Sequence, residues 1–409
     1  MNEAVAGEKF AREVGEHLFN VYLPFWCGPA LDNHYGGWMA WLSNDLRPDH
    51  SQPKGLIVNA RILWAFSAAY QARPEPRHAE MARRAFKIVM NDFWDAKFGG
   101  AYWRLDVVGR VIDDSKKIYG QAFYIYALTE FYRAFGEPEA LERAKALFRL
   151  VEEHAHDAVC GGYGEVCRRD WSDAGSEARL SEKDMNEKKS MNNHLHLLEA
   201  YTNLFRAWPA PAVAGRLREL IDLFSQRILD PQAAHLHHFF NAQWQVRSDT
   251  YTFGHDIEAS WLLCEAAEVL GDPALTAKVR SLALRMAGTT LREALGADGG
   301  LDYEGQGGRI IDDSRECWVQ AEAVVGFLNA CQLSGDLKYF TAAQRTWRFI
   351  QDHLVDRAHG EWFWRVKGGH PVLDLPKVSE WKGPYHASRM CLETLRRLRI
   401  LNLSTKPLP

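Results

Sequence analysis

A glycine-and-aromatic signature returns six times along the chain, and no other property restricts the possible folds as much. It reads Gly36-Gly37-Trp38, Gly99-Gly100-Ala101-Tyr102-Trp103 and Gly161-Gly162-Tyr163. It continues as His235-Leu236-His237-His238-Phe239-Phe240, Gly299-Gly300-Leu301-Asp302-Tyr303 and Gly360-Glu361-Trp362-Phe363-Trp364. Successive starts lie 63, 62, 74, 64 and 61 residues apart. A second punctuation interleaves with the first: Pro74-Glu75-Pro76, Gly136-Glu137-Pro138, Pro209-Ala210-Pro211, Gly271-Asp272-Pro273 and Ser334-Gly335-Asp336. Gly just past one helix and Pro just inside the next is the chemistry of a short helix–helix turn. Such a period marks stacked supersecondary units.

The segments between these marks have helical periodicity. After Pro76, the apolar residues Met81, Ala82, Ala85, Phe86, Val89, Met90 and Phe93 share one side, and Arg83, Arg84 and Lys87 fall on the other. That is an outer helix with one wet face. Gly55 to Ala72 and Gln121 to Ala134 are apolar or small nearly all round and read as inner helices. Each unit is then a hairpin, an inner helix, a turn and an outer helix. Glu8 to Tyr22 adds one outer helix and Tyr385 to Leu398 one last inner helix. The pattern predicts an all-α fold spanning residues 1–409 as a single domain: an (α/α)6 barrel of six inner and six outer helices with short β-hairpins at the mouth. Neither end resembles a polar capping repeat, which disfavours the alternative, an open helical solenoid used as a binding scaffold. The 74-residue spacing holds an insertion within Arg168 to Lys189, a polar loop placed where lids occur.

Composition narrows the ligand. A net charge of −4 argues against a nucleic-acid partner. No apolar run approaches the roughly 18 residues of a membrane span, and the start MNEAVAGEKF lacks a secretory pattern. Seven cysteines without a CxxC pair suit reduced thiols and a cytoplasmic setting. Fifteen tryptophans offer flat faces suited to sugar rings. A small molecule is the expected partner, and the chain reads as a monomer or a homodimer.

Polar groups cluster at the start of every inner helix: Asn59-Ala60-Arg61, Tyr119-Gly120-Gln121, Asn192-Asn193-His194-Leu195-His196, His255-Asp256-Ile257-Glu258, Trp318-Val319-Gln320-Ala321-Glu322 and Tyr385-His386. Buried without partners, such groups would each cost roughly 1–3 kcal/mol. Recurring at one phase, they predict a wet central site for a polyhydroxylated ligand. His196, His255 and His386 lie on three different inner helices, whereas His235, His237 and His238 sit on a hairpin and read as local packing. His154 and His156, at the end of an outer helix, are given no role. His194 is two residues from His196, about 200° round the axis, and so faces elsewhere. HExxH, paired Cys/His spacings, GxSxG, GxxxxGK[ST] and GxGxxG are all absent, so no metal or cofactor is expected.

The runs Asn59-Ala60-Arg61-Ile62-Leu63-Trp64, Ser190-Met191-Asn192-Asn193-His194-Leu195-His196 and Phe253-Gly254-His255-Asp256-Ile257-Glu258-Ala259-Ser260-Trp261, with Gln320-Ala321-Glu322-Ala323 and Trp381-Lys382-Gly383-Pro384-Tyr385-His386, resemble the cellobiose 2-epimerase branch of the N-acylglucosamine 2-epimerase superfamily. The resemblance implies an (α/α)6 barrel that inverts C2 of a reducing-end aldose without metal or redox cofactor. It places the family's essential histidines on His196, His255 and His386. Its substrate contacts fall on Arg61, Tyr119, Asp184, Asn192, Glu258, Glu304, Trp318 and Trp381. One departure is Cys317-Trp318, where that branch often has two tryptophans; it weakens the inference about a second sugar ring. Inversion through a cis-enediolate needs a proton carrier on each face, a task suited to imidazoles of pKa about 6.5. The likeness assigns these carriers to His255 and His386, ring opening to His196, and stabilisation of the enediolate oxygens to the fixed charge of Arg61. Glu258 is expected to orient His255 or grip a hydroxyl. Monosaccharide epimerases and isomerases of the superfamily share the three histidines. An (α/α)6 glycoside hydrolase would instead need paired carboxylates, with Glu258 and Glu304 or Asp184 and Glu322 as candidates.

Overall fold

In a computed structural model of the chain, which describes residues 3–404 apart from 176, 178 and 183, helices alternate between an outer and an inner ring. The outer helices are α1 (residues 3–26), α3 (Pro76–Asn91), α5 (Pro138–His154), α7 (residues 211–228), α9 (Pro273–Glu293) and α11 (residues 337–354). The inner helices are α2 (Leu56–Ala72), α4 (Ile118–Phe135), α6 (Met191–Ala207), α8 (Phe253–Leu270), α10 (Cys317–Ser334) and α12 (Tyr385–Ile400). Each inner helix packs on the next, and α12 packs on α2, so the ring closes. The (α/α)6 barrel expected from the repeats is the fold. The first helix is longer than the expected Glu8–Tyr22, because a π-helical stretch, His17–Tyr22, carries it on to Trp26.

The inner helices are apolar all round because they touch neighbours on every side. Every residue from Leu56 to Ala69 is buried. On α3, Met81, Ala82, Ala85 and Val89 are buried while Arg83 and Lys87 face water. Left-handed glycines at 136, 271 and 335 end three inner helices, and prolines open four outer ones. Gly326 of α10 marks a close approach of two inner helices, since a Cβ there would overlap Ile257 of α8. Gly326→Ala should therefore destabilise the protein by roughly 1–3 kcal/mol, read as a lower urea midpoint.

The mouth is stitched by short antiparallel ladders between consecutive units. The strand before each inner helix pairs with the hairpin of the following unit: Lys54 with Leu105, Lys116 with Cys167, Lys189 with Phe240, Thr250 with Gln306, and Arg315 with Val366. Leu42 and Val378 join the first unit to the last. An aspartate caps the turn of most hairpins; Asp95, for example, accepts the Lys97 and Phe98 N–H groups. Buried lysines bind these aspartates, as Lys116 does Asp95 and Lys377 does Asp356.

One expectation about the mouth is half overturned. The fourth residues of α4, α6, α8 and α10 are Gln121, His194, Asp256 and Gln320, and they do not face a wet centre. Each accepts a backbone N–H of its own hairpin, from Ala101, Tyr163, Leu236 and Leu301, at 2.7 to 2.9 Å. These polar groups pin hairpin to helix. His17, His194 and His238 likewise act as acceptors at Nε2, from Trp362 Nε1, Tyr163 N and Thr252 N. Burial lowers all three to about 4. Their contribution to stability is whole above the ordinary pKa of about 6.5 and is lost as pH falls toward 4, because the unfolded chain binds those protons more readily. Thermal denaturation should give a clearly lower Tm at pH 5 than at pH 7.

Candidate active site

Equal phase on the inner helices brings equivalent side chains onto one ring at the mouth end. The sixth residues of α2, α4, α6, α8 and α10 are Arg61, Phe123, His196, Glu258 and Glu322, and Arg389 takes the matching place on α12. Arg389 is the hub. It is buried and donates to Glu199 and Glu258 and, at 2.7 Å, to Glu322. The Tyr385 hydroxyl donates to the same Glu199. Two of these carboxylates lead on to imidazoles. Glu199 lies 2.9 Å from Nδ1 of His196, and Glu322 lies 2.7 Å from Nδ1 of His386. An ionised carboxylate takes the proton-bearing nitrogen, so both rings turn a bare Nε2 away from it when neutral. His255 is held differently, with Nδ1 2.5 Å from the Thr252 hydroxyl.

The charges divide unequally. Burial raises the carboxyl of Glu322, but the Arg389 charge and the bond from His386 outweigh it and hold Glu322 at about 2. Burial and the nearby charge of Glu322 push Glu258 well above the usual carboxylate range. One oxygen of Glu258, Oε2, is buried without a hydrogen-bond partner. Burial lowers His386 to about 4 against the pull of Glu322, and burial with the neighbouring histidines holds His255 well below its ordinary value, with no carboxylate to oppose it. Burial, helped by the charges of Arg61 and Arg389, thus favours neutral His196 and His386 against the opposing pull of Glu199 and Glu322.

His196, His255 and His386 line one cavity of about 850 Å³, with Arg61, Tyr119, Asp184, Asn192, Glu258, Trp318 and Trp381. Trp318 packs against two of the imidazoles, its ring 4.8 Å from His255 and 5.7 Å from His386. Gly254 makes room for it, since a Cβ there would strike the indole. Arg61 donates to the Trp381 carbonyl and the Tyr119 hydroxyl, both at 3.0 Å, with Phe123 beneath it. Asn192 has a buried, unpartnered Oδ1. Asp184 reaches the cavity from the inserted loop, where it caps Ser181.

Glu304 is not brought into the group. It lies on a hairpin strand opposite Thr252 and Asp312, and its neighbour Tyr303 lines the cavity instead. Successive strand residues point to opposite faces, so only one of the two faces inward. Glu258 is engaged by Arg389, and Thr252, not Glu258, anchors His255. The carboxylate pairs that hydrolysis would need are likewise broken up, one by the position of Glu304 and the other by the ties of Glu322 to Arg389 and His386. Among the described residues, Glu258, Glu322 and His386 also converge as metal ligands could, with donor atoms within 4.8 Å of one another. Arg389 already supplies the positive charge to both of those carboxylates. The sequence reading did not single out Glu199, Arg389 or Thr252. A charged residue inside an otherwise apolar inner helix, as in Leu198-Glu199-Ala200, was the available signal.

Residues 37–389 match the N-acylglucosamine 2-epimerase (GlcNAc 2-epimerase) family. The cellobiose 2-epimerase of Bacteroides fragilis is 42% identical over 390 residues, which cover 95% of this chain and 99% of that protein. The solved cellobiose 2-epimerase of Bacillus thermoamylovorans superposes with a TM-score of 0.90 at 38% identity, over 95% of this chain and 99% of that one. A family 76 α-mannanase of Bacteroides thetaiotaomicron shares the fold alone, with a TM-score of 0.64 at 12% identity over 95% and 99% of the two chains. These likenesses define an isomerase that acts on a sugar. The chain belongs to the N-acylglucosamine 2-epimerase family, and it is a sugar 2-epimerase. No helix among the described residues is long and apolar enough to cross a membrane.

Proposed function

We propose that the enzyme inverts C2 of the reducing-end aldose of a disaccharide, converting cellobiose to 4-O-glucosyl-mannose and lactose to epilactose. The observation that carries this reading is the pair His255 and His386, on separate inner helices, lining one cavity with both rings against Trp318. His196 assists ring opening, which exposes the C1 aldehyde and acidifies C2. One imidazole Nε2 takes the C2 proton. The C–H electron pair becomes the C1–C2 double bond, and the carbonyl pair moves onto O1. Arg61 stabilises that oxygen as a fixed cation in a water-poor site. The second imidazole returns a proton to the opposite face and the electrons retrace their path. Delivery to C1 would give the ketose instead. Every step is a proton transfer, so the chemistry requires no redox group.

Disaccharide preference rests on the high identity to cellobiose 2-epimerases and on the volume of the cavity. Trp41, Gln52, Arg104, Trp364 and Glu380 also line it, and about 850 Å³ has room for a second ring at O4. Incubation with cellobiose, lactose, glucose, mannose and N-acetylglucosamine side by side tests the reading. 4-O-Glucosyl-mannose should form from cellobiose at the highest kcat/KM. Free glucose would mean hydrolysis, and turnover of the monosaccharides alone would move the assignment to the monosaccharide epimerases.

A further inference from the structure

His238, on the fourth hairpin, reads from sequence as local packing, yet it forms part of a short chain of hydrogen bonds ending on His255. Its Nε2 accepts the backbone N–H of Thr252 at 3.1 Å and lies 3.3 Å from the Thr252 hydroxyl. That hydroxyl is 2.5 Å from Nδ1 of His255. Because Nε2 of His238 accepts an N–H, it carries no hydrogen of its own, and toward the Thr252 hydroxyl it presents only that same lone pair, shared between the two donors. Burial, which lowers His238 to about 4, keeps it in that state at neutral pH.

The Thr252 hydrogen has two places to go. Donated to His255 Nδ1, it would leave the His255 proton on Nε2, facing the sugar, and the ring could not accept a proton there. Donated to His238 Nε2, it frees the hydroxyl oxygen to accept Nδ1–H of His255, and Nε2 is bare. The same second arrangement is required once Nε2 has taken a proton, because the imidazolium must donate from Nδ1 as well. Both charge states used in catalysis therefore need an acceptor behind Thr252. His386 meets the equivalent need with the Glu322 carboxylate, whereas His255 has no carboxylate.

We propose that His238 is a positioning residue which, through the Thr252 hydroxyl, holds a proton on Nδ1 of His255 and so keeps Nε2 free toward the substrate. The proposal rests on the function given above, in which His255 is a proton carrier. Thr252→Val is nearly isosteric and keeps the backbone N–H, so it deletes the hydroxyl link alone. It should lower kcat for cellobiose epimerisation by roughly 10²-fold with KM little changed, and Thr252→Ser should restore it. His238→Met should behave as Thr252→Val does, and His238→Gln, which returns an acceptor, should recover most of the loss. Nitrogen-15 shifts of histidine-labelled protein without substrate give a second readout: protonated Nδ1 on His255 in the wild type, protonated Nε2 in Thr252→Val. A wild-type His255 protonated on Nε2, or a Thr252→Val kcat within about threefold of wild type, overturns the proposal. The shifts are read without turnover. If the wild type leaves cellobiose unchanged, the proposed function falls while the shifts still decide the role of His238.

Discussion

Arg389→Met should cost about 3–5 kcal/mol of stability and abolish turnover, the largest combined effect expected of any single substitution. The guanidinium is buried among Glu199, Glu258 and Glu322, each of which it binds directly. Removing it leaves negative charge in a medium that solvates it poorly, and the remaining carboxylates must bind protons to survive. Glu322 and Glu199 would then no longer accept from His386 and His196, so both rings would lose their orientation as well. Chemical denaturation measures the first effect and cellobiose conversion the second. Adding Glu322→Gln should recover part of the lost stability, because the carboxylate that Arg389 holds most firmly ionised is gone, but none of the activity. A variant that melts like the wild type would show that the cluster is not held by this cation.

The second large effect separates the two proposed proton carriers. His255→Asn and His386→Asn should each reduce epimerisation by about 10³-fold or more, yet neither should silence every exchange at C2. The surviving imidazole still reaches one face of the sugar. In heavy water, one variant should exchange the C2 proton of the gluco epimer, and the other variant that of the manno epimer, with no interconversion in either case. Proton NMR of the two sugars, each incubated with each variant, gives the four outcomes. Exchange of both epimers by the same variant would mean that a single group serves both faces. The effects of the two substitutions should also be far from additive, as expected of groups that act in one reaction.

The architecture was largely legible because a repeat announces itself. The spacing of glycine-aromatic and glycine-proline marks located the hairpins and turns, and the all-round apolar character of Leu56 to Ala69 distinguished inner from outer helices. The three imidazoles at the mouth were legible for a related reason, since each lies within the first two turns of an inner helix. The hub was not. Arg389 and Glu199 are 190 residues apart in the chain, and nothing local to either predicts that ring closure makes them partners. The recurring polar phase misled in part, because Gln121, His194, Asp256 and Gln320 satisfy hairpin backbone instead of ligand. Glu304 falls outside the cavity lining while Tyr303, one residue earlier, falls within it, a distance that in a strand means the opposite face.

The position of Arg389 and His386 on the last inner helix has a consequence for synthesis. A ribosome that has released the first five inner helices has made Glu199, Glu258 and Glu322 before the cation that binds them. That nascent form lacks Arg389 and His386, the second proton carrier of the proposed mechanism, so on that reading it should be inert and its core uncompensated. Competence and closure arrive together, late, when the C-terminal helix docks between α10 and α2.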